Sequence, residues 1–378
     1  MKSRWIWMLF LAISFSITNA QKAKTYLFIG SYTGGTPGTG MYVYAFNPKS
    51  GALKKVSEVS DITNPSYLTL SPDGHYLYAC TDTKLPDTGS VTAFKIDATN
   101  GKLSFINKQA SGGDNPVYLS VHNSGKWLIN ANYSGGSVST FALNEDGSIE
   151  PYAQSIQFAG KSIRKDRQEM PHIHSAVFSP KGDYAFLPDL GSDKIWVLGF
   201  DPAKAKPLVI KEDQIVNAVP GSGPRHFAFH PNSKFAYCIE ELSGFVSSYA
   251  YADGKLSSIQ RIYANNYKQD TCRSADIHIS PDGRFLYASN RDDRENNLAI
   301  FAIDQSSGML TLVGHQSTFG EHPRNFTIDP TGKFLLVANM ISDTIIVFKR
   351  NMKTGLLTRT KNEIAVEAPS CLQVRTYN

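Results

Sequence analysis

His174 and Arg225 stand about fifty residues apart, as do Glu241 and Arg291, and Arg324 follows Arg225 by about twice that interval. If a fold superposes these intervals, an imidazole, a carboxylate and three guanidiniums converge. That set suits the opening of a ring ester, which needs an activated water, a proton for the departing alkoxide and positive charge for the tetrahedral oxyanion. Glu241 or His174 could serve as the base. Arg225 and Arg291 could stabilise the oxyanion or hold an anionic substrate in two-pronged fashion, leaving Arg324 to grip a distal phosphate or carboxylate. The plainer reading of each Arg is a structural ion pair to a neighbouring segment, and convergence of several weakens it.

The interval belongs to an internal repeat. Pro65-Ser66-Tyr67-Leu68 followed by Ser71-Pro72-Asp73-Gly74 sets the pattern, which returns from Pro116, Pro171, Pro224, Ser274 and Pro323. A period of this size signals a propeller or an array. Eight residues before each repeat's turn stand Ser66, Val117, His174, Arg225, Ala275, Arg324 and, by analogy, Ser370. This ring is expected on innermost strands facing a central channel, where an unpaired charge is costly. Seven residues after the turn come Thr81, Asn132, Asp189, Glu240, Asn290 and Asn339, polar throughout, so hydrogen bonding at strand ends is as good a reading as function. One place later the repeats diverge into Asp82, Tyr133, Leu190, Glu241, Arg291 and Met340, with Tyr32 from the N-terminal half-unit.

Within each repeat, short runs rich in Tyr, Phe, Val and Ile alternate with Gly/Pro/Asp turns, and nothing has useful helical periodicity. Such spacing predicts an all-β fold of antiparallel sheets arranged around an axis. Six repeats are complete. The seventh is split: 26–46 supplies middle strands with no inner strand, and Pro369-Ser370-Cys371-Leu372 supplies an inner strand with no successors. A seven-bladed β-propeller is therefore expected, its last blade closed by the C-terminal strand, which removes exposed sheet edges.

The N-terminus reads as a signal peptide over residues 1–20: a basic start, an uncharged run from Trp5 to Ile17, and Thr18-Asn19-Ala20 before Gln21. Residues 21–378 would then form one propeller domain, periplasmic or secreted, monomeric and free of the membrane once the leader is removed. The net charge of +5 comes from scattered residues, which does not imply nucleic acid. The four cysteines lack metal spacing, and three lie in apolar runs where Cys behaves as a small buried hydrophobe.

Other chemistries find less support. No Gly-x-Ser-x-Gly elbow is present. His172 and His174 could share one face of a strand, but no third zinc ligand is evident. Calcium held by Asn132, Asp189, Glu240 and Asn290 is harder to set aside. No metal or other cofactor is expected.

Pro171-His172-Ile173-His174-Ser175-Ala176, Gly223-Pro224-Arg225-His226, Glu240-Glu241-Leu242, the run from Ser274 to Gly283 and Pro323-Arg324-Asn325-Phe326 resemble the seven-bladed propeller lactonase family. That family holds bacterial 6-phosphogluconolactonases and fungal carboxy-muconate cyclases, and the likeness covers essentially the whole mature chain. It implies metal-free lactone chemistry with His174, Arg225, Glu241 and Arg291 as the catalytic set. His172, His226, Asp276, His278, Arg324 and Asn132 are expected to contact a small, anionic lactone. A lactone-forming cyclase and a non-catalytic propeller that binds sugar acids are the alternatives. The leader departs from the family's cytoplasmic sugar-phosphate setting and bears on the substrate, not on the fold.

Overall fold

A computed structural model describes residues 23–85, 89–270 and 272–378, so the expected signal peptide lies outside the described residues. The described chain forms seven antiparallel sheets. Six follow in chain order, and we number these blades 1 to 6: 67–110, 116–157, 177–217, 224–263, 274–317 and 323–365. The closing blade is built from both termini. Pro369–Tyr377 pairs antiparallel with Lys24–Ser31, and Met41–Phe46 and Leu53–Val59 complete the sheet. The split seventh repeat is thus confirmed.

Each strand's alternation decides what holds the ring together. Residues pointing off one sheet meet those of the next, so the core is a set of layers between blades instead of one central mass. Between blades 3 and 4, for example, Phe186 stacks on Phe227 at 5.5 Å, and Cys238 and Tyr249 fill the same layer. All four cysteines are buried free thiols, in keeping with their apolar surroundings.

Blade 3 departs from the four-strand pattern. Its innermost strand is reduced to Val177–Phe178 plus a single bridge from Ile173 to Asp189, and Val216–Asn217 adds a fifth strand. In blades 2, 4, 5 and 6 the inner strand carries a β-bulge at the position of the channel ring. Register shifts fall between Pro116 and Tyr118, Pro224 and His226, Ser274 and Ile277, and Pro323 and Asn325. The C-terminal strand shifts likewise around Ser370. An extra residue in one strand is unpaired and turned out of the ladder, which re-aims its side chain. Val117, Arg225, Arg324 and Ser370 are the residues so displaced, and in blade 5 the bulge takes in Ala275 and Asp276.

Candidate active site

At one end of the channel lies a cavity of about 350 Å³ walled by Tyr32, Lys84, Asn115, Val117, Tyr133, Arg167, His174, Glu241, Arg273, Arg291, His322, Arg324 and Met340. Three sequence positions supply most of it. His174, Val117 and Arg324 come from the channel ring. Tyr32, Tyr133, Glu241, Arg291 and Met340 come from the position after the polar strand-end ring. Asn115, Arg273 and His322 each stand two residues before a channel-ring member.

Glu241 organises the charge. Its Oε1 accepts from Arg167 Nη2 at 2.6 Å, and its Oε2 accepts from Arg225 Nε and Arg291 Nη2, both at 2.9 Å. The residue is only 3% exposed. Burial alone would raise its pKa, but Arg291, Arg225 and Arg167 outweigh burial and hold the carboxyl well below the usual range. Glu241 is therefore a fixed anion with both oxygens engaged, which makes it a poor proton acceptor. Of the two bases expected from the sequence, geometry and charge favour His174.

His174 is held differently. Its backbone N–H donates to Pro188 O, its ring packs edge-on against Tyr133 and His226, and its buried Nδ1 has no hydrogen-bond partner. Burial, reinforced by Arg225, His226 and Arg324, pushes its pKa well below the ordinary value. It is a neutral imidazole at neutral pH. The wall's other imidazole, His322, is engaged: its Nε2 accepts from Arg291 Nη1 at 3.0 Å, and burial with Arg291 lowers its pKa to about 2.

The arginines divide by depth. Arg225 is 1% exposed and lies beneath the cavity, its Nη1 also donating to Ala275 O. It does not line the upper wall, so the expected direct contact with an oxyanion gives way to holding Glu241 from below. Arg291 does line the wall and is fixed by Glu241, His322 and Arg273 O. Arg324 has no hydrogen-bond or ion-pair partner among the described residues, and its guanidinium rests over the Tyr32 ring at 5.4 Å. Lys84 lies over the same ring at 4.0 Å. Among the described residues, nothing neutralises this positive corner of the wall.

Several expected contacts fall outside the cavity. Asn132 is fully buried and spends its amide on Asn130, Ser111 O, Ser137 and Ser139. His172 stacks on Tyr133 at 4.5 Å and bonds its carbonyl, so it supports the wall from behind. His226, Asp276 and His278 form a chain below the cavity floor: His226 Nδ1 meets Asp276 Oδ1 at 2.7 Å and His278 Nε2 meets Oδ2 at 3.0 Å.

The four residues considered for calcium do not converge. Asp189 accepts from three backbone N–H groups and Trp196, and Glu240 from Ser243, Ser247 and Arg261. Asn290 is bonded to Ser274, Asn297 and Ala264 O. These are strand-end hydrogen bonds, the plainer of the two readings. Among the described residues, no group of three or more His, Cys, Asp or Glu is placed to hold a metal ion.

Arg167 is the residue that spacing could not give. It lies in the loop between Phe158 and Pro171, outside any repeat position. Gln168 pins that loop by donating to Leu190 O and accepting from Arg164 N, which swings Arg167 over Glu241 and Tyr133.

With this geometry in view, residues 26–374 match the family model "Lactonase, 7-bladed beta-propeller". The chain belongs to that lactonase family. It is 47% identical to a 6-phosphogluconolactonase of Formosa agariphila, over 93% of this chain and all of the relative. It is 34% identical to the 6-phosphogluconolactonase of Bacillus subtilis, over 92% of this chain and 97% of that one. Among solved structures, the periplasmic gluconolactonase of Pseudomonas aeruginosa superposes with a TM-score of 0.87 at 36% identity, covering 93% of this chain and 99% of that chain. The lactonase is thus an enzyme of the lactone-hydrolysing type, as the converging residues suggested.

Proposed function

We propose that this lactonase opens an anionic sugar lactone in the channel-mouth cavity, with His174 as general base and no metal in the chemistry. Water attacks the carbonyl carbon while His174 takes its proton, and the same proton passes to the ring oxygen as the C–O bond breaks. Arg291 lies on the wall in a fixed orientation and stabilises the oxyanion, and Glu241 keeps Arg167, Arg225 and Arg291 aligned. Arg324 and Lys84 hold the substrate's anionic arm. An incoming anion offsets the positive field around His174 and raises its basicity, so binding itself prepares the base.

The observation that carries this reading is the division of labour between the two candidate bases. Both oxygens of Glu241 are taken by guanidiniums, whereas the buried Nδ1 of His174 has no hydrogen-bond partner among the described residues. The 6-phosphogluconolactonases and the periplasmic gluconolactonase among its relatives support a sugar-lactone substrate. We place the enzyme, as a monomer, outside the cytoplasm on the strength of the leader sequence. The periplasmic relative is consistent with that placement, and no helix among the described residues is long and apolar enough to cross a membrane.

The test is hydrolysis of neutral, carboxylated and phosphorylated lactones by the mature protein, corrected for spontaneous opening, with and without chelator. Turnover that survives chelation and is lost in His174→Gln supports the mechanism. Turnover abolished by chelator and restored by a divalent ion overturns it.

A further inference from the structure

Below the main cavity, the channel holds a second one of about 10 Å³, bounded by Ser66, Tyr67, Val117, His174, Arg225, His226, Arg324, Asn325 and Ser370. That is close to the space one water molecule needs. The two cavities share His174 on their walls. The ring centres of His174 and His226 are 5.3 Å apart and tilted 67°, with no hydrogen bond joining them. His174 Nδ1 is buried and unpartnered.

We propose that His226 and Asp276 are positioning residues for His174, acting through one water that bridges the two imidazoles in the lower cavity. The Asp276 carboxylate accepts from His226 Nδ1, so His226 presents Nε2 as an acceptor toward the channel. A water donating to that nitrogen is left to accept the Nδ1–H of His174. This fixes the His174 tautomer, with its lone pair on Nε2 for the attacking water. The proton balance follows. Nε2 takes the proton of the attacking water as the new C–O bond forms, and returns it to the ring oxygen as the old one breaks. Nδ1 keeps its proton throughout, and Asp276 stabilises the transient imidazolium through His226.

Asp276 is built to remain an anion. Besides His226 it accepts from His278 Nε2, Asn325 Nδ2 and the backbone N–H groups of Ile277 and Phe326. Burial would raise its pKa, but His278 and His226 hold it well below the ordinary range. His278 is itself raised by Asp276, whereas burial and Arg225 lower His226 to about 4. The other groups facing the pair are Arg225, Arg324, Tyr133 and Glu241 around His174, and Tyr67 and Tyr118 around His226. A purely structural role is the competing account, because Asp276 ties blade 5 to blades 4 and 6. The inference rests on His174 being the base, and the test separates the two.

The tautomer of His174 is read without turnover, by the imidazole ¹⁵N shifts of the full mature protein, assigned with His174→Gln. The expected result is a protonated Nδ1 and an unprotonated Nε2. His226→Gln should scramble that tautomer, lower kcat about tenfold or more with KM within about twofold, and move the acid limb of the kcat profile to lower pH. An Nε2–H tautomer in the wild type overturns the proposal, even if the variant does not fold. So does a folded His226→Gln that loses only thermal stability. If His174→Gln retains full turnover while the tautomer is as expected, the base assignment fails and the positioning geometry does not.

Discussion

Replacing Glu241 by Gln removes one charge and leaves the shape, which makes it the sharpest perturbation of the site. Three guanidinium contacts at 2.6, 2.9 and 2.9 Å lose their anion. The Gln amide keeps one acceptor oxygen and turns an N–H₂ toward a guanidinium that also donates. Breaking a buried ion pair from one side costs about 3–5 kcal/mol, against about 5–15 kcal/mol for a whole domain. With an unfolding entropy of about 2.1 cal/mol/K per residue, that cost lowers Tm by roughly 4–7 °C, so the variant stays folded at 25 °C. Turnover should fall about a hundredfold or more, because Arg291 is no longer held against the oxyanion. The informative readout is the pH dependence of kcat/KM. Glu241 is ionised throughout the working range, so the acid limb reports His174 and persists in Glu241→Gln, whereas His174→Gln abolishes it. Stopped rate measurements from about pH 4.5 to 8 on both variants decide the matter. An acid limb that vanishes with Glu241→Gln and survives His174→Gln would mean that Glu241 is the base after all.

Glu240→Gln should behave differently: its partners Ser243, Ser247 and Arg261 lie at a strand end, so Tm falls while kcat stays within about threefold, measured side by side with Glu241→Gln. Arg324→Ala should leave hydrolysis of neutral lactones nearly unchanged and lower kcat/KM for carboxylated or phosphorylated ones by tenfold or more, since a charge-assisted contact is worth about 1.5–3 kcal/mol. Equal losses on both substrate types would remove Arg324 from recognition. Deleting 369–378 takes the inner strand from the closing blade, and the product should aggregate or fail to fold; an unchanged melting profile would contradict closure by that strand. His174, His226 and His322 all have lowered folded-state pKa values, to about 4 for His226 and about 2 for His322. Below about pH 6.5 the unfolded chain binds protons that these imidazoles refuse, so folding stability falls as pH drops from about 6.5 toward 4. Urea midpoints at pH 7.5 and 5.0 should show this, with a smaller difference in His322→Gln.

The repeat made the ring legible because its residues obey one spacing. Turns such as Pro72-Asp73-Gly74 mark the register, and a register fixes which residue of each unit faces the channel. The position that carries Glu241 and Arg291 was found by the same logic, as was the split blade. Asn115, Arg273 and His322 obey the spacing too, two residues ahead of the channel ring, and reading that third position across all units would have found them. Arg167 obeys no spacing, since an insertion between blades has no counterpart to align with. Depth was the other illegible quantity. Arg225, Asp276 and Arg324 all lie at bulges of inner strands, yet Arg324 reaches the cavity wall while Arg225 and Asp276 lie beneath it, and nothing in residue type announces a bulge or the depth it sets.

The balance of charge at the mouth argues for the substrate class. Lys84, Arg167, Arg273, Arg291 and Arg324 stand on the wall with Arg225 beneath it, and among the described residues Glu241 is the one carboxylate lining the cavity. Opening a neutral lactone creates a single negative charge in the transition state, which Arg291 alone could meet. A lactone that already carries a phosphate or carboxylate brings a second charge to a separate place. Arg324 and Lys84 both lie over the Tyr32 ring and neither contacts Glu241, so they supply positive charge beyond the guanidiniums that Glu241 neutralises. Cations left unpaired in a partly buried cavity are a standing cost unless a ligand neutralises them. The arrangement is therefore economical for a doubly charged transition state and wasteful for a singly charged one. A sugar-acid lactone meets that requirement as well as a sugar phosphate does. If kcat/KM for a neutral lactone matches that for both charged classes across ionic strengths from about 0.02 to 0.5 M, the electrostatic argument fails.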